Sequence, residues 1–211
     1  MKLPRVYPIL DTQSLRAKAC DPDTAARAWL DGGAQILQFR HKRQWTRSVF
    51  DQAERIAGVC SERGAVFVIN DRADMARLLG AGLHVGQDDL ASGDARRMLG
   101  TEAFLGYSTH NSQQLEVAAA EQVNYLAFGP VFPTASKDNP DPVVGLGELR
   151  RCRVLCQRPL VAIGGIARQN ASAVFAAGAD SVAVINDLLP EDCTGANLRR
   201  RMEEWQQLAR M

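Results

Sequence analysis

The pattern that decides the fold is clearest in residues 35–42, Gln-Ile-Leu-Gln-Phe-Arg-His-Lys, where an apolar run ends in polar and basic side chains. In an extended strand alternate side chains share a face, so Gln38, Arg40 and Lys42 point one way and the residues between them point the other. One amide and two cations at a strand end suggest a site for an anionic ligand that also carries a hydrogen-bonding ring or carbonyl. The alternative is a strand that continues into a solvated basic loop, and this stretch taken alone favours that alternative.

Eight short apolar runs recur along the chain, and most are followed by a helical pattern. Such alternation predicts parallel βαβ units whose strands are buried on both faces. Eight units in 211 residues favour an α/β fold with one domain over residues 1–211, a single-domain (β/α)8 TIM barrel. A doubly wound open sheet is the structural alternative. The predicted strands are residues 6–10, 35–39, 65–69, 83–85, 103–107, 125–128, 160–163 and 181–185. The predicted helices begin near residues 22, 45, 73, 92, 112, 147, 169 and 194.

Composition excludes several classes of function. The net charge of +1 provides no global field that would recruit nucleic acid or an anionic membrane, so any anion site must be local. The five cysteines include no C-x-x-C pair, which indicates free thiols in a reducing cytosol better than a disulfide framework or a zinc site. The sequence contains neither a long apolar span nor a signal-peptide core, so we expect a cytoplasmic protein.

Polar residues follow the predicted strands, at the end of a barrel where active sites are found. Each cluster alone is compatible with ordinary turn chemistry. Their repeated placement at the same end of the strands favours a site. The clusters are Asp11-Thr12, the alternating residues 38–42, Asn70-Asp71, Gln87-Asp88-Asp89, Ser108-Thr109-His110, residues 129–137, Gly164-Gly165 and Asn186-Asp187.

Two kinds of ligand group are indicated. Backbone N–H groups at Gly164-Gly165, followed by a helix N-terminus, favour a phosphate after strand 7, and Thr134 adds a hydroxyl donor. Asp71 and Asp89 end adjacent strands, where two carboxylates could share a hard cation such as Mg²⁺. Alternatively, Asp71 caps the next helix and the second aspartate begins a turn. The spacing does not choose between Asp89 and its neighbour at position 88.

Six segments in order carry a resemblance to a known family. They are Gln-x-Arg-x-Lys at 38–42, Ile-Asn-Asp at 69–71, His-Val-Gly-Gln-Asp-Asp at 84–89, Gly-Tyr-Ser-Thr-His at 106–110, Gly-Pro-Val-Phe-Pro-Thr-Ala-Ser-Lys at 129–137 and Ile-Gly-Gly-Ile at 163–166. Together they resemble the thiamine-phosphate synthase family, (β/α)8 transferases of vitamin B1 biosynthesis. Any one segment is a weak signal, whereas six in order are specific.

The resemblance implies condensation of hydroxymethylpyrimidine diphosphate with hydroxyethylthiazole phosphate to give thiamine phosphate and pyrophosphate. The implied mechanism is dissociative and assisted by Mg²⁺, the implied cofactor. The aminopyrimidine stabilises a cation as pyrophosphate leaves, and the thiazole nitrogen captures that cation. The implied partners are two small phosphorylated heterocyclic substrates, without nucleic acid or membrane. A homo-oligomer is left open.

The resemblance also assigns residues to roles. The pyrimidine diphosphate would be held by Gln38, Phe39, Arg40, His41, Lys42, Asn70, Ser108 and Lys137. Of these, the catalytic group would be Arg40, Lys42, Ser108 and Lys137, which neutralise or contact the leaving group. The thiazole phosphate would be held by Thr134, Ala135, Ser136, Gly165, Ile185 and Asn186. The implied magnesium ligands are Asp71 and Asp89.

One departure from the family pattern lies after strand 8. The family usually has a serine where this chain has Asn186, and a small residue where it has Asp187. Asp187 would oppose a bound phosphate unless its side chain turns away.

We also expect His84 to pack near the metal site rather than bind the ion, since Mg²⁺ prefers oxygen. His110 is expected on the polar surface at the start of a helix.

The sequence leaves two other functions as alternatives. A thiazole tautomerase-like sister barrel would have a catalytic histidine near the strand-6 loop, but residues 127–130 read Ala-Phe-Gly-Pro. The diphosphate and metal residues named above also count against it. A non-catalytic binder of thiamine precursors stays open, because a complete set of site residues does not establish turnover.

Overall fold

The computed structural model describes residues 3–134 and 141–210. In this part of the chain eight parallel strands pair in chain order, and the eighth pairs with the first to close a barrel. The (β/α)8 barrel predicted from the sequence is therefore confirmed. The strands are β1 (Val6–Asp11), β2 (Ile36–Arg40), β3 (Val66–Asn70), β4 (Gly82–Val85), β5 (Leu105–Thr109), β6 (Tyr125–Phe128), β7 (Leu160–Ala162) and β8 (Ser181–Val184).

Helices alternate with these strands. The helices are α1 (Thr12–Ala17), α2 (Pro22–Asp31), α3 (Arg47–Glu62), α4 (Ala73–Leu79), α5 (Ser92–Leu99), α6 (Ser112–Ala118), α7 (Gly145–Leu155), α8 (Arg168–Ala176) and α9 (Gly195–Arg210), with a short 3-10 helix at Asn186–Leu188. The sequence pattern did not predict helix α1. The Asp11 carboxylate accepts a hydrogen bond from the Ser14 backbone N–H at 2.8 Å and so starts this helix. Within the described residues, no helix combines the length and the apolar character needed to cross a membrane.

Alternation along each strand divides the apolar residues into two layers. Ile36 and Val68 belong to the cluster inside the barrel, whereas Leu37 and Phe39 belong to the larger cluster between the strands and the helices. Gln38 therefore points into the barrel, as the two-residue period predicts.

The register of the strands places the polar residues at the strand ends side by side. Asp11 pairs with Arg40 on the neighbouring strand, and Asn70 pairs with His84. These pairs lie at the C-terminal ends of their strands, which is the face where barrel enzymes place their active sites.

Candidate active site

A cavity of about 610 Å³ opens at the C-terminal end of the barrel. This volume is in the range of small-molecule binding sites. Most of the residues predicted from the sequence line it, and they come from several of the strand ends and the loops that follow them. Those lining the cavity are Gln38, Arg40, Lys42, Asn70, Asp71, Asp89, Ser108, Thr134, Gly165, Ile185 and Asn186.

Phe39 and His41 lie outside the cavity, although both were predicted to contact substrate. Phe39 is fully buried between β2 and the helices, in edge-to-face contact with Trp45 at 5.7 Å between ring centroids. The His41 Nδ1 atom lies 2.8 Å from the hydroxyl of Thr12. Their outward direction follows from strand alternation, so this segment presents only its alternate side chains to the cavity.

Three further residues of the prediction, Ala135, Ser136 and Lys137, lie outside the described part of the chain. Their roles in substrate binding stay predictions. Thr134, the last described residue before them, lines the cavity.

Cations and carboxylates face one another at one side of the cavity. Arg40 forms an ion pair with the buried Asp11 carboxylate, and the Lys42 ammonium lies 2.5 Å from the Asp71 carboxylate. Burial raises the pKa of Asp71, as does contact with the Asp89 carboxylate, while Lys42 opposes both effects. This side of the cavity therefore contains two like charges in contact, which is an arrangement that a bound cation would relieve.

Local backbone geometry explains why Asp71 and Asp89 meet. Asp71 adopts a left-handed conformation with φ of 65°, which is uncommon for residues other than glycine, although aspartate adopts it more readily than most. Its N–H donates to the backbone carbonyl of His84 at 2.8 Å. The Asp89 carboxylate accepts a hydrogen bond from the Gly86 N–H at 2.7 Å. Of the two candidate aspartates at 88 and 89, Asp89 is the one whose carboxylate contacts that of Asp71.

Asn70 contributes a buried donor that lacks a partner. Its side chain lines the cavity and is 6 % exposed, and its amide nitrogen makes no hydrogen bond within the described residues. Buried polar groups are almost always paired, and leaving one unpaired costs free energy. The amide nitrogen of Asn70 is thus a spare donor in the wall of the cavity.

Two glycines shape the opposite side of the cavity. Gly164 and Gly165 have φ of 97° and 61°, in the region that favours glycine. A Cβ at Gly165 would lie 2.4 Å from the carbonyl oxygen of Pro133, so only glycine allows this loop to pack against the segment after β6. The Asn170 side chain donates to the Gly165 carbonyl at 3.0 Å, which holds the loop in place.

Comparisons with known proteins identify the family of this barrel. Residues 6–188 match the family model described as thiamine monophosphate synthase. The chain belongs to the thiamine monophosphate synthase family. The resemblance found in the sequence is thereby confirmed, and the chain is an enzyme, a transferase of thiamine biosynthesis.

Individual relatives of this family cover nearly the whole chain. Thiamine-phosphate synthase from Koribacter versatilis is 44% identical, over 99% of this chain and 97% of the relative. The thiamine-phosphate synthase from Chlorobium phaeovibrioides is 42% identical, over 87% of this chain and 90% of the relative. A solved structure of thiamine phosphate pyrophosphorylase from Pyrococcus furiosus superposes with a TM-score of 0.84 at 29% identity, covering 98% of this chain and 95% of that one.

Asp187 is where this member of the synthase family departs from the expected pattern, and its carboxylate turns away from the cavity. It accepts hydrogen bonds from the Arg168 guanidinium at 3.0 Å and from the Trp205 indole nitrogen at 2.8 Å. Arg201 donates to the backbone carbonyl of Asp187 at 2.7 Å. The condition set by the sequence, that this side chain must turn away, is met.

His110 occupies a position that sequence reasoning missed. We expected it on the polar surface, and that expectation was wrong, because it lines the cavity. Its Nδ1 atom lies 2.8 Å from the Gly129 carbonyl oxygen and 3.4 Å from the Asp141 carboxylate. A signal was present in the sequence, since His110 follows Ser108 by two residues and so shares its inward face.

His84 and two tyrosines form the floor of the cavity in this synthase-family barrel. His84 is 7 % exposed, and burial lowers its pKa to about 4, so its ring is neutral near pH 7. Its ring stacks on that of Tyr125 at 5.5 Å between centroids. The sequence places Tyr7 and Tyr125 only as members of apolar runs. A tyrosine inside a buried strand needs a hydrogen-bond partner for its hydroxyl. The presence of tyrosine in two buried strands was therefore a sign of polar contacts inside the barrel.

Proposed function

We propose that the enzyme joins hydroxymethylpyrimidine diphosphate to hydroxyethylthiazole phosphate, with release of pyrophosphate. The observation that supports this proposal most strongly is the meeting of Lys42, Asp71 and Asp89 at one side of a cavity whose other side is a glycine loop. Such a cavity suits two anionic ligands, one bound with a divalent cation and one held by backbone N–H groups.

The diphosphate would lie at the side where the charged residues are. Arg40 and Lys42 provide positive charge there, and the unpaired amide of Asn70 provides a neutral donor. Charge accumulates on the leaving group as the bond to carbon breaks, so fixed donors at this place stabilise the transition state more than the ground state. Removing one such donor would typically reduce the rate about a hundred- to thousandfold, or about 3–4 kcal/mol.

Asp71 and Asp89 are the residues that would hold Mg²⁺. The donor set fits this ion, because both groups are carboxylates and Mg²⁺ is usually bound by one or two carboxylates together with waters and phosphate oxygens. The contact between the two like charges, which raises the pKa of Asp71 beside the effect of burial, also supports a cation site. Bound Mg²⁺ would supply positive charge beside the diphosphate oxygens.

The thiazole phosphate would lie on the opposite side, near Thr134, Gly165 and Asn186. The close packing of Gly165 against the segment after β6 keeps its backbone close to the cavity, and this supports a phosphate site. The proposed mechanism is dissociative, so it calls for no strong base or nucleophile from the chain. The residues bind and orient the two substrates and keep charge fixed around the leaving group.

We also propose a cytoplasmic location for the enzyme. The five cysteines are free thiols, and four of them are buried. Free thiols of this kind are usual in a reducing compartment.

The experiment that tests the proposed reaction is an incubation of the purified chain with both phosphorylated precursors. Thiamine phosphate is detected by mass spectrometry, with Mg²⁺ present and with the ion removed by a chelator. We expect product only in the complete mixture with Mg²⁺. Absence of product in that mixture would refute the synthase function, whereas product after chelation would refute only the metal role of Asp71 and Asp89.

A further inference from the structure

Five side chains form a continuous line of hydrogen bonds across the floor of the barrel. The amide nitrogen of Gln38 lies 3.1 Å from the hydroxyl of Tyr7, which lies 2.9 Å from the hydroxyl of Tyr125. The Tyr125 hydroxyl lies 2.9 Å from Nδ1 of His84, and Nε2 of His84 lies 2.8 Å from the hydroxyl of Ser108. We call these five residues the floor relay. Its two ends, Gln38 and Ser108, are both predicted substrate contacts.

The strand register and a glycine on β5 make room for this line of hydrogen bonds. His84, Gly106 and Tyr125 are register partners on the neighbouring strands β4, β5 and β6. A Cβ at Gly106 would lie 2.0 Å from Cζ of Tyr125, so the phenol crosses the strand between only because that strand has a glycine there. Phe104 also stacks on the Tyr125 ring, at 5.3 Å between centroids. The position of the Tyr125 hydroxyl is thus determined by packing.

The directions of the hydrogen bonds in the floor relay follow from its first member and from the need of each buried hydroxyl proton for an acceptor. An amide nitrogen has no acceptor lone pair, so Gln38 donates to Tyr7. Burial raises the pKa of both tyrosines, which keeps one proton on each hydroxyl. Among the described residues the Tyr7 proton has no other acceptor than the Tyr125 hydroxyl, so Tyr7 donates to Tyr125, and for the same reason Tyr125 donates to Nδ1 of His84. The remaining nitrogen of His84 carries its proton and donates to the Ser108 hydroxyl.

We propose that the floor relay sets the hydrogen-bonding polarity of the substrate pocket, with Tyr7, Tyr125 and His84 as positioning residues that couple its two ends, so that Ser108 donates to a ligand while Gln38 accepts from one. Because the Ser108 oxygen already accepts from His84, its own proton is left for a ligand. No described residue donates to the side-chain carbonyl oxygen of Gln38, so that oxygen is left to accept. This inference rests on the proposed function for the identity of the ligand.

The polarity matches the chemistry of an aminopyrimidine diphosphate. An exocyclic amine donates N–H groups and suits the carbonyl oxygen of Gln38. A diphosphate oxygen only accepts, so it requires the proton of Ser108. With the opposite tautomer of His84, the Ser108 proton would point to the ring and its lone pairs would face the anion. One tautomer therefore attracts the leaving group and the other repels it.

The first test measures the tautomer directly in the unmodified enzyme. The chain has three histidines, so two-bond proton–nitrogen correlation spectra of isotope-labelled protein give three ring patterns, and the His84→Gln spectrum assigns one of them. We expect His84 in the form protonated at Nε2. A ring protonated at Nδ1 would overturn the proposal. This measurement needs no substrate, so its failure is distinguishable from a failure of the synthase function.

The second test asks whether Tyr125 acts through Ser108. Tyr125→Phe removes the hydroxyl and keeps the ring, and we expect kcat to fall about tenfold, the effect of losing one hydrogen bond in the transition state. In the Ser108→Ala background the same change should have almost no further effect. An equal loss in both backgrounds would mean that the hydroxyl acts elsewhere, and it would overturn the relay.

A matched control uses the neighbouring tyrosine. Tyr107 lies next to Ser108 on β5 and packs against the outer apolar cluster, so Tyr107→Phe also removes one tyrosine hydroxyl from a β-strand. We expect this variant to keep wild-type kcat and the same His84 tautomer. In Tyr125→Phe we expect the tautomer to change, and an unchanged Nε2–H form there would contradict the role of Tyr125.

Discussion

Asp187→Ala distinguishes two roles for the carboxylate that follows β8. In the structure this carboxylate is an anchor, since it accepts hydrogen bonds from Arg168 and from the indole of Trp205. The family pattern of a small residue at this position would instead suggest that a carboxylate here opposes the bound phosphate. If the carboxylate is an anchor, Asp187→Ala should lower the stability and change substrate binding little. If the carboxylate opposes the phosphate, the variant should keep its stability and bind the substrate more tightly.

The size of the stability loss follows from the contacts. Trp205 is fully buried, so removing its acceptor leaves an unpaired N–H in the core. Such a group costs about 1–3 kcal/mol. Arg168 keeps its second partner, Glu204, and therefore adds little. For a chain of this length, a loss of about 2 kcal/mol lowers Tm by roughly 4–8 °C.

The assay combines urea denaturation with the KM for the thiazole phosphate. We expect Asp187→Ala to lower the free energy of unfolding by about 2 kcal/mol and to change this KM by less than about threefold, which is under 1 kcal/mol. The matched variant Asp187→Asn keeps an acceptor for Trp205 and should lose less stability. The anchor role would be refuted if both variants kept full stability and bound the thiazole phosphate about tenfold more tightly.

Further predictions concern the charged side of the cavity and its floor. Asp89→Asn should lower kcat/KM about a hundredfold or more in the Mg²⁺-dependent assay, while urea denaturation without Mg²⁺ should show no loss of stability, because Asp71 loses a like charge in contact with it. Lys42→Ala should lower kcat by roughly a hundredfold in the same assay. The folded-state pKa of His84, about 4, lies below its ordinary 6.5, so the unfolded chain takes up this proton first as pH falls. The free energy of unfolding should thus decrease between about pH 6.5 and 4, by up to roughly 3 kcal/mol more than in His84→Gln, when urea curves are compared across pH. Gly106→Ala should cost about 1–3 kcal/mol of stability, seen as a lower urea midpoint, because its Cβ overlaps the ring of Tyr125.

The two-residue period of the strands accounts for most of what the sequence predicts about the site. It places Gln38, Arg40 and Lys42 on one face, and all three line the cavity. The same period predicts that Phe39 points out of the barrel and that His110 points into it. The structure shows both directions. Local patterns of this kind are readable because each strand alone determines which residues share a face.

Contacts that depend on closure of the barrel were not readable in this way. Tyr7 and Tyr125 are 118 residues apart, and their hydroxyls meet only because β1 and β6 face each other across one interior. Asp89, and not Asp88, contacts the Asp71 carboxylate because of the left-handed backbone at Asp71 and the hydrogen bond from Gly86. The spacing of the residues carries no information on such conformations, so in the sequence only the family resemblance favoured Asp89.

The stoichiometry of the reaction tests the proposed synthase function without any substitution in the chain. Pyrophosphate and thiamine phosphate are quantified together after the enzyme is mixed with both precursors and Mg²⁺, and after either precursor is omitted. We predict that the two products form in equal amounts in the complete mixture and that neither forms when a precursor is missing. Absence of both products, or pyrophosphate released without thiamine phosphate, would contradict the claim that this cavity joins the two substrates.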